Sequence, residues 1–151
     1  MSQEVRTVRI VLVEDNPADV YLIKKALQEN NIACEVTCFE DGEDALAALL
    51  PAGARANALL PDVILLDLSM PRSNGLEVLN ALRAAPTLVD VPIGILTSSE
   101  APADQQRAAL LGATLYIRKP TRLDDFLHQV GQGVKELVRE RTDKQKAGGG
   151  R

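Results

Sequence analysis

The sequence predicts a doubly wound α/β domain, five parallel strands with five helices on both faces of the sheet. Two observations predict it. Short apolar runs rich in β-branched residues alternate with amphipathic stretches at helical spacing along nearly all of the 151 residues. The runs at 8–13, 63–66 and 91–96 are also almost unbroken rather than alternating, the pattern of strands covered on both faces.

Each element has its own local reason. Val8 to Val13 is a β-branched run that ends at Glu14-Asp15, and reads as the first strand. Asn16-Pro17 is a cap followed by a first helical position, and Val20, Ile23, Ala26 and Leu27 recur at helical spacing until Asn30-Asn31. Residues 35–39 form a second strand and Gly42 to Leu50 an Ala- and Leu-rich helix. Residues 51–61, with proline at both ends, read as a long loop. Val63 to Leu66 is the third strand, ending at Asp67; Asn74 to Ala85 is a helix with Leu76, Leu79 and Leu82 on one face. Val91 to Leu96 is the fourth strand, Pro102 to Leu111 a helix closed by Gly112, and Thr114 to Arg118 the fifth strand. The last helix opens at Thr121, with Asp124 placed as in a capping box, and carries Leu123, Leu127, Val130, Val134 and Leu137 on one face. The expected division is an N-terminal extension at 1–7, the domain at 8–141 and a disordered tail at 142–151.

Composition narrows the function. With 46% hydrophobic residues the chain has enough apolar side chain for a core without disulfides or metal staples. A net charge of −4 and 3% aromatic residues argue against nucleic acid, which calls for a basic patch and stacking platforms. No apolar stretch approaches the roughly 20 residues of a membrane span, and the early run lacks the form of a signal peptide, so a cytoplasmic protein is expected. Cys34 and Cys38 have only the remote His128 as a further soft ligand, and read as free thiols rather than a zinc site.

Doubly wound sheets bind ligands beyond the carboxyl ends of their strands, near the switch in strand order. The polar residues there are Glu14, Asp15, Asp67, Thr97 and Lys119. Two carboxylates 4 Å apart repel by about 4 kcal/mol at an effective dielectric of 20, and one lysine cannot balance three of them. A hard divalent cation such as Mg²⁺, which takes one or two carboxylates together with phosphate oxygens, suits the set. A strand-end carboxylate in such company can attack phosphorus to give an aspartyl phosphate. Mg²⁺ and Lys119 would neutralise the transferring phosphoryl group and the Thr97 hydroxyl would donate to it. Taken singly, each residue has a plainer reading: Glu14 and Asp15 as acids at a helix N-terminus, Asp67 and Lys119 as a structural ion pair. Their convergence at the ends of four strands favours the chemical one.

The chain resembles the receiver domain of two-component response regulators, a flavodoxin-like fold, from about Val8 to Val138. The residues that carry the likeness are Val-Leu-Val-Glu-Asp-Asn-Pro at 11–17, Leu-Leu-Asp-Leu-Ser-Met-Pro at 65–71 with Asn-Gly at 74–75, Thr-Ser-Ser at 97–99 and Lys-Pro at 119–120. The resemblance implies that Asp67 accepts a phosphoryl group from a sensor histidine kinase. It implies that Glu14, Asp15 and Asp67 with the main-chain carbonyl of Ser69 hold Mg²⁺, that Thr97 and Lys119 sense the phosphoryl group, and that Tyr116 is the switch aromatic. Ser69 and Ser99 fall at positions that tune phosphoryl lifetime, where relatives often carry larger polar or acidic groups. The segment Glu-Asp-Asn-Pro-Ala-Asp at 14–19 and the long loop at 51–61 are similar to single-domain regulators that partner phytochrome-type kinases.

Other functions fit less well. A phosphatase using an aspartyl phosphate would want a second acid two residues after the nucleophile, where Ser69 stands. A nucleotide-binding domain would need a glycine-rich loop after the first strand. A receiver that only docks partners, without phosphate, has no reason to keep every acidic, hydroxyl and lysine position. A signalling protein rather than a turnover enzyme is expected, with output through the receiver surface. The stripe on the last helix steps by four and three like a short heptad seam, so a homodimer through the helix 4–strand 5–helix 5 face is also expected.

Overall fold

The protein is described by a computed structural model covering residues 7–50, 60–71 and 74–149. Its strands are β1 (Val8–Val13), β2 (Cys34–Phe39), β3 (Val63–Leu66), β4 (Ile93–Thr97) and β5 (Leu115–Arg118). Between and after them run α1 (Pro17–Glu29), α2 (Gly42–Leu49), α3 (Gly75–Ala84), α4 (Pro102–Leu110) and α5 (Leu123–Gly149). All strand pairs are parallel, in the order β2-β1-β3-β4-β5, so strand order reverses at β1.

Alternation along the buried strands builds two cores. Val11, Val13, Ile64, Leu66, Ile93 and Ile95 face α2, α3 and Ala108 of α4. Ile10, Leu12, Val63, Leu65 and Leu96 face α1 and α5. The register Val13↔Leu66 sets the ends of β1 and β3 side by side, so the next residues, Glu14 and Asp67, emerge as neighbours at the switch point. Cys34 and Cys38 are free thiols on β2, and no helix among the described residues is long and apolar enough to cross a membrane.

Four expectations change. The stripe on α5 is core: Val130, Val134 and Leu137 are buried against the sheet together with Phe126, and only Leu123, 54% exposed, is left to solvent. Freeing the three for a heptad seam would give up about 1.5–3 kcal/mol apiece, so this stripe is no dimer surface. Next, α5 opens at Leu123, with the Phe126 N–H bonded to the Arg122 carbonyl, so Thr121 stands outside the first turn and the expected capping box does not form. The helix then continues to Gly149 where a disordered tail from 142 was expected; Lys144, Gln145, Lys146 and Ala147 are good helix formers, and the Thr142 hydroxyl bonds back to the Val138 carbonyl. Finally, Pro86–Leu88 forms a short 3₁₀ turn and Pro92 lacks a donor, so β4 begins at Ile93 rather than Val91. The expected loop at 51–61 and N-terminal extension at 1–7 fall largely outside the described residues.

Two tertiary ties matter later. Arg83 of α3 donates from Nε to the Gly112 carbonyl (2.8 Å), from Nη1 to the carbonyls of Leu88 (3.1 Å) and Val91 (2.8 Å), and from Nη2 to the Thr114 hydroxyl (3.3 Å). Close approach is the second: a Cβ on Gly94 would lie 2.7 Å from Leu137 Cδ1, and Cβ atoms on Gly131 and Gly133 would run into Asn30 and Ile117.

Candidate functional site

The loops that follow β1 and β3 are shaped by caps. Asn16 accepts from the Ala18 N–H (2.9 Å) and the Asp19 N–H (3.4 Å), and Pro17 starts α1, so the chain turns immediately after Glu14-Asp15. Asn74 caps α3 in the same way. Gly75 behind it is packed so closely that a Cβ would sit 2.6 Å from Leu68 Cα and 3.1 Å from the Asp67 carbonyl oxygen. The start of α3 therefore braces the backbone that presents Asp67.

Glu14, Asp15 and Asp67 bring oxygens within 4.8 Å of one another; Glu14 and Asp67 are buried and Asp15 is exposed. Burial, together with the Asp67 charge, pushes Glu14 up to about 7 against the pull of Lys119. Lys119 Nζ lies 2.6 Å from Glu14 Oε1, 2.7 Å from Asp19 Oδ2 and 3.2 Å from Asp67 Oδ2. Burial alone would lower the lysine's pKa, but hydrogen bonds to Asp19 and Glu14 and the charge of Asp67 carry it above its ordinary value. The Ser69 N–H donates to Asp67 Oδ1 at 2.8 Å. Ser69 Oγ and Thr97 Oγ1 are 2.6 Å apart, and Thr97 Oγ1 also accepts the Ser99 N–H at 3.2 Å.

The structure thus gathers Glu14, Asp15, Asp67, Ser69, Thr97 and Lys119 at one end of the sheet. Ser99 joins this group through its N–H to Thr97, and Tyr116 pairs on β5 with Ile95, two residues before Thr97 on β4. The Ser99 hydroxyl is engaged with Asp104 Oδ2 at 2.6 Å. The Tyr116 hydroxyl is buried with no hydrogen-bond partner of normal geometry among the described residues, and burial, with the charge of Asp104 and against a weaker pull from Ser99, holds it above the ordinary phenol value. Asp19 was missed. An acid in a first helical turn is ordinary, and its partner Lys119 is 100 residues away.

The donor set fits a divalent cation. Its three carboxylates bring oxygens within reach of one ion, and of the three only Asp15 is open to solvent.

Comparison with known proteins agrees with this geometry. The family model described as "Response regulator receiver domain" matches residues 10–131. Response regulator Rcp1 of Synechocystis sp. is 34% identical over 128 residues, 85% of this chain and 86% of that protein. The phosphorylated cyanobacterial phytochrome response regulator RcpA superposes with a TM-score of 0.78 at 38% identity, covering 88% of this chain and 94% of that one. The Mn²⁺-bound form of Rcp1 gives 0.75 at 34% identity, covering 83% and 90%. A similarity spanning the sheet, its switch-point acids and most of the helices places the chain in one family, and it belongs to the response regulator receiver domains of two-component signalling.

Proposed function

We propose that Asp67 accepts a phosphoryl group from the phosphohistidine of a sensor kinase, in the cytoplasm, and that Glu14, Asp15, Asp67 and the Ser69 carbonyl hold Mg²⁺ for the transfer. The observation that carries this reading is the trio of clustered carboxylates at adjacent strand ends, with one lysine touching two of them. A bound Mg²⁺ supplies charge neutralisation to the phosphoryl oxygens. The chain does the rest. An Asp67 oxygen forms the new O–P bond as the P–N bond to the kinase imidazole breaks, with the electron pair leaving on that nitrogen. Lys119 turns an N–H to a phosphoryl oxygen, and Thr97 donates its hydroxyl proton to another. Because Thr97 now shares a hydrogen bond with Ser69, its move redistributes the Ser69–Thr97–Ser99 contacts and the space beside Tyr116. Ser69 and Ser99 offer no carboxylate or amide to orient a hydrolytic water, which favours a long-lived adduct. Likeness to phytochrome response regulators makes a phytochrome-type kinase the partner of choice. The output surface is the α4–β5–α5 face, where Arg118 and Glu100 form an exposed ion pair; a second copy pairing there would use such residues and not the buried stripe of α5.

The test is direct. Incubation with acetyl phosphate or a cognate kinase and Mg²⁺ is expected to give one acid-stable, base-labile adduct that maps to Asp67; a label on any other residue overturns the assignment.

Metal affinity should follow pH. Glu14, raised to about 7 from 4.5, must lose its proton before it can face a cation, so Mg²⁺ affinity rises by about tenfold from pH 6 to pH 8. The sign in the metal-free protein is the reverse: a carboxyl whose folded pKa is raised contributes stability that is complete below about pH 4.5 and lost as pH climbs through about 7. Calorimetric titration at pH 6, 7 and 8 checks this, with Glu14→Gln flattening the profile.

A further inference from the structure

We propose that Asp19 is a positioning residue for phosphoryl transfer: from the first turn of α1 its carboxylate fixes the Lys119 ammonium so that a remaining N–H is aimed at Asp67. The proposal rests on the reading of Asp67 as phosphoacceptor and adds a residue to it. An ammonium has three donors, and here each meets one carboxylate, at 2.6 Å (Glu14), 2.7 Å (Asp19) and 3.2 Å (Asp67). The contact to Asp67, where the phosphoryl group would form, is the longest. Glu14 and Asp67 both belong to the trio that can share a cation, whereas Asp19 stands outside it. Once a cation and a phosphoryl group draw on Glu14 and Asp67, Asp19 is the anchor whose task is unchanged.

Both ends of the tie are held. The Asp19 backbone is set by Asn16 and Pro17, and the Lys119 N–H is bonded to the Thr97 carbonyl at 2.7 Å. Between them runs the flexible lysine stem, which has no fixed direction of its own and takes one from the carboxylate that grips its end. Asp19 also couples α1 to the β5–α5 connection. A plain helix-end acid would affect stability through the dipole and leave the transfer rate untouched, which separates the two roles.

The experiment measures phosphoryl uptake from acetyl phosphate with Mg²⁺ on phosphate-affinity gels. Asp19→Asn is expected to lower the maximal rate by about tenfold, the scale of one charge-assisted hydrogen bond, while half-saturation by donor and Mg²⁺ stays within about twofold. Asp19→Glu recovers part of the loss. In a Lys119→Met background Asp19→Asn adds nothing, because Asp19 acts through that lysine. If Lys119→Met labels too slowly to time, beryllofluoride binding followed by ¹⁹F NMR replaces uptake in the same four-way comparison. An unchanged maximal rate in Asp19→Asn, or an equal loss with and without Lys119, overturns the proposal. A label that survives Asp67→Asn strikes the phosphoacceptor reading itself; a label lost with Asp67 but indifferent to Asp19 strikes only this inference.

Discussion

Asp67→Asn is expected to abolish phosphoryl uptake and, in the absence of metal, to raise the melting temperature. The first effect follows from removing the nucleophilic carboxylate, since an amide oxygen in its place yields no stable acyl phosphate. The second is less usual for a buried ionisable group. Asp67 is one of three clustered carboxylates, and its charge helps to push Glu14 up to about 7. Asparagine keeps an oxygen for the Ser69 N–H that now bonds Asp67 Oδ1, and the Lys119 ammonium, which loses Asp67 Oδ2, keeps Glu14 and Asp19 as acceptors. What disappears is repulsion. At the separations of the cluster this is worth about 1 kcal/mol after loss of the Lys119 contact is set against it, a rise of roughly 2–4 °C. Saturating Mg²⁺ should reverse the order, because the wild type has the cation to gain. Thermal melts with and without Mg²⁺ read this directly; a variant less stable than wild type without metal would show that the Lys119 contact outweighs the crowding.

Arg83→Ala should produce the largest loss of stability, about 3 kcal/mol or roughly 10 °C in melting temperature. The guanidinium serves three main-chain carbonyls and one hydroxyl from three stretches of chain: the turn after α3, the approach to β4 and the link from α4 to β5. Alanine leaves those acceptors in a half-buried place with fewer partners and opens room where the stem lay. Arg83→Lys should recover little, since an ammonium cannot reproduce the planar fork. Denaturant unfolding of the two variants checks both statements. Phosphoryl uptake per folded molecule should stay near wild type, because no Arg83 contact reaches Asp67.

Much of the molecule was legible in the sequence because its strands are continuous apolar runs that end at polar residues; β3 was placed at its observed bounds, and Glu14, Asp15, Asp67, Thr97 and Lys119 converge as expected. What escaped was long-range or served by backbone. Asp19 meets a lysine 100 residues away, and Arg83 bonds mostly to carbonyls, which carry no residue identity. The stripe on α5 was ambiguous for a physical reason: a heptad seam and a sheet-facing helix share nearly the same spacing, and only the tertiary position shows that the sheet has claimed it. The length of α5 was underestimated because polar, charged residues read as solvated tail even when their helix propensity is high.

The glycines beneath α5 have a mechanical consequence. Gly94 on β4 receives the Leu137 side chain of α5, Gly133 on α5 receives that of Ile117 on β5, and Gly131 receives that of Asn30 at the end of α1, so a side chain of one element seats directly on the backbone of the other. Packing that dense does not yield in small steps, so α5 behaves as a clamped shaft. Opposite in character is α4, whose only fully buried residue is Ala108. If Thr97 moves toward a phosphoryl group as proposed, the expected output is a displacement of α4 and its flanking loops relative to α5, since α4 buries only Ala108 while α5 buries Phe126, Val130, Val134 and Leu137.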